Sequence, residues 1–131
     1  MSSIVRTIPV TVPAEAAWLR LADVGAVNRL LTFLGDVTVD GDTRTCALGD
    51  LGTLREIILS VDEENRRVAY TIVEAPLPFT HHSAAFHLQA DGAGGTVLSW
   101  TTDFLPAELR PQVEALVDQG VQSLTEALGR A

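Results

Sequence analysis

Glu56, Arg44 and His82 are the residues whose types and surroundings point to chemistry. Glu56 sits in the run Leu54-Arg55-Glu56-Ile57-Ile58, and in an extended segment it shares a face with Leu54, Ile58 and Ser60. A carboxylate on a mostly apolar face is costly unless it is paired or hydrogen-bonded. Arg44 shares its own face with Cys46 and Leu48, and a guanidinium can hold a carboxylate in a bidentate pair. Such a pair reads in two ways: as a structural ion pair, or as a group that orients a bound molecule. His82 shares a face with Ala84, Phe86 and Leu88. Imidazole exchanges protons near neutral pH, so beside a glutamate it could act as a general base if a substrate proton comes within reach. Otherwise it is a histidine that lines an interior or its mouth.

Other chemistries find less support. His81 and His82 point to opposite faces of a strand, and His81 and His87 are about 20 Å apart along one, so no metal site is expected. Cys46 is the only cysteine, which excludes an internal disulfide and a cysteine-based zinc site. Its parity is that of Arg44, so an inert, buried thiol is expected. There is no Gly-x-Ser-x-Gly motif, phosphate loop or dinucleotide fingerprint, and no cofactor is expected.

The elements that must position these groups can be read from hydrophobic periodicity. Ile4 to Val12 alternates and predicts a strand. Pro13 opens a helix over Ala14 to Ala22, with Ala17, Trp18 and Leu21 on one face. Val24, Val27, Leu30, Leu31 and Leu34 recur at helical spacing and predict a second short helix over Asp23 to Leu34, closed by Gly35. The period then changes to two. Val37 to Val39, Thr43 to Leu48, Leu54 to Val61, Arg66 to Glu74, Ser83 to Gln89 and Thr96 to Phe104 read as strands. Asp40-Gly41-Asp42 and Asp91-Gly92-Ala93-Gly94-Gly95 supply turns, and the prolines of Ala75-Pro76-Leu77-Pro78 break the ladder. Ala107 to Leu128 is the last helix, with a stripe of Leu109, Val113, Leu116, Val117, Val121, Leu124 and Leu128. The expected class is α+β: a curved antiparallel sheet of seven strands that buries the stripe of a long helix and can leave an interior hollow.

The order and spacing of several runs resemble a known superfamily. Gly41-Asp42-Thr43-Arg44-Thr45-Cys46-Ala47-Leu48, then Leu54-Arg55-Glu56-Ile57-Ile58, then Asp62-Glu63-Glu64-Asn65-Arg66-Arg67-Val68-Ala69-Tyr70-Thr71-Ile72, carry it. So do Val73-Glu74-Ala75-Pro76-Leu77-Pro78 and the strand from Trp100 to Phe104. Over essentially the whole chain, residues 1–131 as a single domain, the sequence resembles the START/SRPBCC helix-grip superfamily. It most resembles the polyketide cyclase/dehydrase-like branch, and more distantly the plant abscisic acid receptors. The resemblance implies an interior apolar cavity between the long helix and the sheet, used for lipids, polyketides or other hydrophobic molecules. It implies that Leu48, Ile58, Tyr70, Ile72, Phe86, Trp100, Thr102 and Phe104 wall this cavity from the strands, and Leu116, Gly120 and Leu124 from the helix. Glu56, Arg44 and His82 would orient the guest, and Phe79 would stand in an apolar lip at the mouth. His82 stands where the family usually carries a tyrosine. Gly120 reads either as room for a ligand or as close contact between helix and sheet. The rival expectation is an aromatase/cyclase or dehydrase, with His82 as general base and Glu56 or Arg44 steadying the enolate. A third is a partner-binding module whose interior is fully packed.

Composition narrows the remaining classes. The chain has 131 residues, enough for one sizeable core. Its 17 acidic residues outnumber 9 basic ones, all arginine, for a net charge of −8. No basic patch is evident, so no nucleic-acid partner is expected. No run approaches the roughly 20 apolar residues of a membrane span, and no signal peptide is evident. A cytoplasmic protein, monomeric or weakly homodimeric, is the expectation.

Overall fold

The segments of period two become strands. A computed structural model describes residues 2–129. The strands β1 (Ser2–Val10), β2 (Val37–Asp40), β3 (Thr43–Ala47), β4 (Thr53–Asp62), β5 (Arg67–Glu74), β6 (His81–Ala90) and β7 (Thr96–Leu105) form one sheet. Its order is β1-β7-β6-β5-β4-β3-β2, antiparallel throughout. Between β1 and β2 run α1 (Ala14–Ala22) and a 3-10 helix, Val24–Arg29. After β7 a 3-10 turn, Ala107–Leu109, leads into α2 (Arg110–Leu128). This is the helix-grip architecture: a seven-stranded antiparallel sheet with one long C-terminal helix and short helices after the first strand. Among the described residues no helix is long and apolar enough to cross a membrane.

α2 is held by its stripe. Val113, Val117, Leu124 and Leu128 are buried, and Leu124 and Leu128 have no exposed surface. Each fully buried leucine contributes about 2 kcal/mol. The opposing face of the sheet supplies Ile4, Ile8, Leu98, Trp100 and Phe104, all buried. Arg6, on the same parity of β1, meets acids of α2 instead: its Nε donates to Asp118 Oδ1 at 2.9 Å, and its Nη2 lies 3.4 Å from Glu114 Oε2.

The last helix, expected from Ala107, starts at Arg110 after the 3-10 turn, and β6 starts two residues early at His81. Three further departures from periodicity have identifiable physical reasons. β1 ends at Val10, two residues short of the expected Val12. The amides of Thr11 and Val12 donate to Leu128 O instead, at 2.9 and 3.4 Å, satisfying a carbonyl that the end of α2 leaves open. The single helix expected over Asp23 to Leu34 is a 3-10 helix with Ala26 outside helical geometry (φ −114, ψ 25), followed by turns. Its apolar residues still face inward, since Val27, Leu30, Leu31 and Leu34 are all buried. Finally, the register of β4 on β5 shifts twice, between Arg55 and Glu56 and again between Ile58 and Ser60. Leu59 is left without a partner and exposed, and the simple alternation stops at Ile58.

Candidate functional site

The sheet's inner face, residues 24–34 and the first half of α2 do not meet completely. They enclose a cavity of about 320 Å³. Val27, Leu31 and Leu34 wall one side, Val113, Leu116 and Val117 another, and Tyr70, Phe86 and Trp100 the floor. Leu51, Pro76, Leu77 and Phe79 contribute from the two loops at its edge.

Strand register brings the polar groups into this apolar space. Arg44 and Glu56 are direct cross-strand partners on β3 and β4, which sets their side chains against one another. Arg44 Nε donates to Glu56 Oε1 at 2.7 Å, and both side chains are almost wholly buried. The expected bidentate fork does not form. Arg44 Nη1 reaches the carbonyl of Val24 at 3.1 Å instead, tying the 3-10 helix to the sheet. The guanidinium carbon also stands 5.3 Å from the centre of the Tyr70 ring, a cation–π distance. Cys46 Sγ donates to the same Glu56 oxygen at 3.7 Å, and burial, reinforced by the Glu56 charge, pushes its thiol up to about 12. Tyr70 is raised as well, chiefly by burial and then by Glu56. Its hydroxyl accepts from Trp100 Nε1 at 3.1 Å, and Trp100 stacks on Phe86 with centroids 5.1 Å apart.

His82 is fixed by the backbone of the neighbouring strand. The Ile72 amide donates to His82 Nδ1 at 3.0 Å, and Thr71 Oγ1 donates to the His82 carbonyl. An imidazole that accepts at Nδ1 carries its proton at Nε2 when neutral. Burial, then the neighbouring His81, with Asp103 opposing, together lower His82 to about 4. At neutral pH the ring is therefore uncharged, with Nε2–H as its remaining polar group. This disagrees with the expected general base, because the nitrogen that could take a proton is occupied by Ile72 and the other already holds one. His81 and His87 lie on the opposite, outward parity of β6.

Arg44, Leu48, Glu56, Tyr70, Ile72, Phe79, His82, Phe86, Trp100, Thr102 and Leu116 all line the cavity. Four residues expected in its wall do not. Ile58 lies at the β4 irregularity, half-buried against the core beside Tyr70. Phe104 is fully buried beneath Phe79, with ring centroids 6.2 Å apart. Leu124 is also fully buried, in the half of α2 that meets the sheet directly. Gly120 makes room for the protein itself: a Cβ there would stand 2.6 Å from the Trp100 ring. Val27, Leu31, Phe33, Leu34, Leu54, Val113 and Val117 were not among the expected site residues. Their signal was ordinary apolar periodicity, which does not distinguish a cavity wall from a packed core.

Among the described residues no buried side-chain nitrogen or oxygen lacks a partner. The unpartnered atoms of this cluster, Glu56 Oε2, Arg44 Nη2, His82 Nε2 and Thr102 Oγ1, therefore keep accessible surface, and the surface these residues share is the cavity.

A family model described as polyketide cyclase/dehydrase and lipid transport matches residues 1–130. The chain belongs to that family. It is thereby of the START/SRPBCC type, and solved structures share its fold. The protein XoxI from Bacillus cereus superposes with a TM-score of 0.86 at 18% identity, covering 98% of this chain and 96% of the other. A protein from Thermobifida fusca superposes at 0.83 with 26% identity, covering 99% and 95%. Norcoclaurine synthase from Thalictrum flavum superposes at 0.73 with 18% identity, covering 96% and 89%. No curated protein matches the chain in sequence. The family's description covers cyclisation, dehydration and lipid transport.

Proposed function

We propose that this chain is a single-domain binding protein that takes a small hydrophobic molecule into the cavity between α2 and the sheet. The observation that carries this reading is the cavity itself: about 320 Å³ of interior that the helix, the sheet and residues 24–34 leave unfilled, with an apolar wall and a few unpartnered polar atoms. Burial of apolar surface would drive binding, and Glu56, Arg44 and His82 would orient the guest. Leu51, Pro76, Leu77 and Phe79 would form the lip through which it enters.

The family's description also supports an enzymatic use of the same space. In that case Glu56 Oε2 would be the base and His82 Nε2–H the donor to a developing oxyanion, reversing the role first expected of His82.

Native mass spectrometry of protein purified gently from its own host tests the binding reading. A small mass that leaves on denaturation is expected, and its loss in Leu116→Trp, which fills the cavity from α2, ties it to this site. A bound mass retained by a folded Leu116→Trp variant would refute the site. Glu56→Gln separates binder from enzyme: turnover abolished with binding intact supports catalysis.

A further inference from the structure

The cavity's charges cancel. Arg44 and Glu56 are the charged residues that line it, and they are paired at 2.7 Å. Arg44 spends a second nitrogen on the Val24 carbonyl and lays its guanidinium against the Tyr70 ring. His82 adds no charge, because an imidazole that accepts the Ile72 amide at Nδ1 is the neutral form. An anionic guest would thus give up its hydration without gaining a free cation, and it would face the unpartnered oxygen of Glu56.

An uncharged guest meets complementary groups. Glu56 Oε2 accepts, Arg44 Nη2 and His82 Nε2–H donate, and the Thr102 hydroxyl does either. A hydroxyl on the guest can donate to Glu56 and accept from one of the donors; a carbonyl can accept. The volume, about 320 Å³, lies at the lower end of the roughly 300–1,000 Å³ of small-molecule pockets, which favours a guest of about two rings. We propose that the cavity selects uncharged phenols, alcohols or ketones and rejects the carboxylates of the same skeleton, and that Glu56 enforces this selection by neutralising Arg44. The proposal rests on the binding reading above and specifies its ligand class.

The test uses 6-propionyl-2-(dimethylamino)naphthalene, an uncharged two-ring fluorescent ketone, displaced at pH 7 by 2-naphthol, 2-naphthamide or 2-naphthoate. In the native chain 2-naphthol and 2-naphthamide are expected to displace the probe at concentrations at least ten-fold lower than 2-naphthoate. In Glu56→Gln, which keeps an acceptor for Arg44 Nε but removes the charge, the preference is expected to move at least ten-fold toward 2-naphthoate. Equal displacement by acid and amide in the native chain overturns the proposal, and that comparison stands even if the variant fails to fold. An unchanged preference in a folded Glu56→Gln also overturns it, as does a bound probe that none of the three displaces. Failure of the probe to bind at all refutes the binding reading itself and the proposal with it.

Discussion

His82 should make the fold acid-sensitive by an amount that its geometry sets. The native ring is neutral, held by the Ile72 amide at Nδ1 and lowered from an ordinary value of 6.5 to about 4, first by burial. In the unfolded chain the same ring takes a proton near 6.5. Between these values the unfolded state binds more protons than the native state, so stability falls as the pH drops. The loss begins as pH approaches 6.5 and is complete near 4. A gap from 6.5 to about 4, at about 1.4 kcal/mol per unit, corresponds to about 3 kcal/mol. The perturbation is His82→Asn, whose side-chain oxygen can still accept the Ile72 amide but does not titrate. Urea unfolding of both proteins, followed by circular dichroism from pH 7.5 to pH 4, gives the difference in stability at each pH. His81, Asp103 and the other carboxylates are common to both and drop out of it. The native chain should be the more stable at pH 7.5, and its advantage should shrink by about 3 kcal/mol by pH 4. A difference that stays constant across this range would refute the assignment of a buried, neutral His82.

Further predictions follow from the same contacts. Gly120→Ala should lower stability by about 1 kcal/mol in urea unfolding, because overpacking against the Trp100 ring, at about 1–3 kcal/mol, exceeds the gain of about 1 kcal/mol in helix propensity. Arg44→Met should cost about 3–5 kcal/mol by stranding the Glu56 carboxylate, and Arg44→Met/Glu56→Leu should recover most of it; equal losses in the single and double variants would contradict the pairing. Cys46 should resist a thiol reagent at pH 8 in the native protein and yield one reactive thiol per chain in denaturant, since it has no exposed surface and its thiol is pushed up to about 12.

The strands and their inward faces were legible because period two is enforced wherever one side of a sheet is buried. Cys46, Tyr70, Phe86 and Trp100 all lie on the face that their parity assigned. The β4 irregularity was not legible, since Ile57, Ile58 and Leu59 are consecutive apolar residues on both parities, and a slip among them leaves no mark. Nor was the break after Val24–Arg29: its residues keep helical spacing because they must face the core, while the backbone turns to cover the cavity. At the site, Arg44 and Glu56 could be matched because an isolated carboxylate on an apolar face demands a partner. The use of Arg44 Nη1 by Val24 depends on a backbone carbonyl twenty residues away, and side-chain types do not report such a contact. The same limit hid the tautomer of His82, which the Ile72 amide decides. The two halves of α2 look alike in sequence. Only the Trp100 ring filling the notch at Gly120 separates the half that lines the cavity from the half that is sealed against the sheet.

That ring gives the protein an optical readout of its own. The chain contains two tryptophans, Trp18 on α1 and Trp100 in the cavity floor, and both are buried. Trp18 does not line the cavity, so its emission supplies a steady background. Trp100 lines the cavity and would share a surface with the proposed guest, while its indole N–H is held by Tyr70 and its plane by Phe86. An arriving aromatic would quench or shift the emission of one indole out of two, so occupancy could be followed in the unlabelled protein, in real time, without a dye competing for the same space.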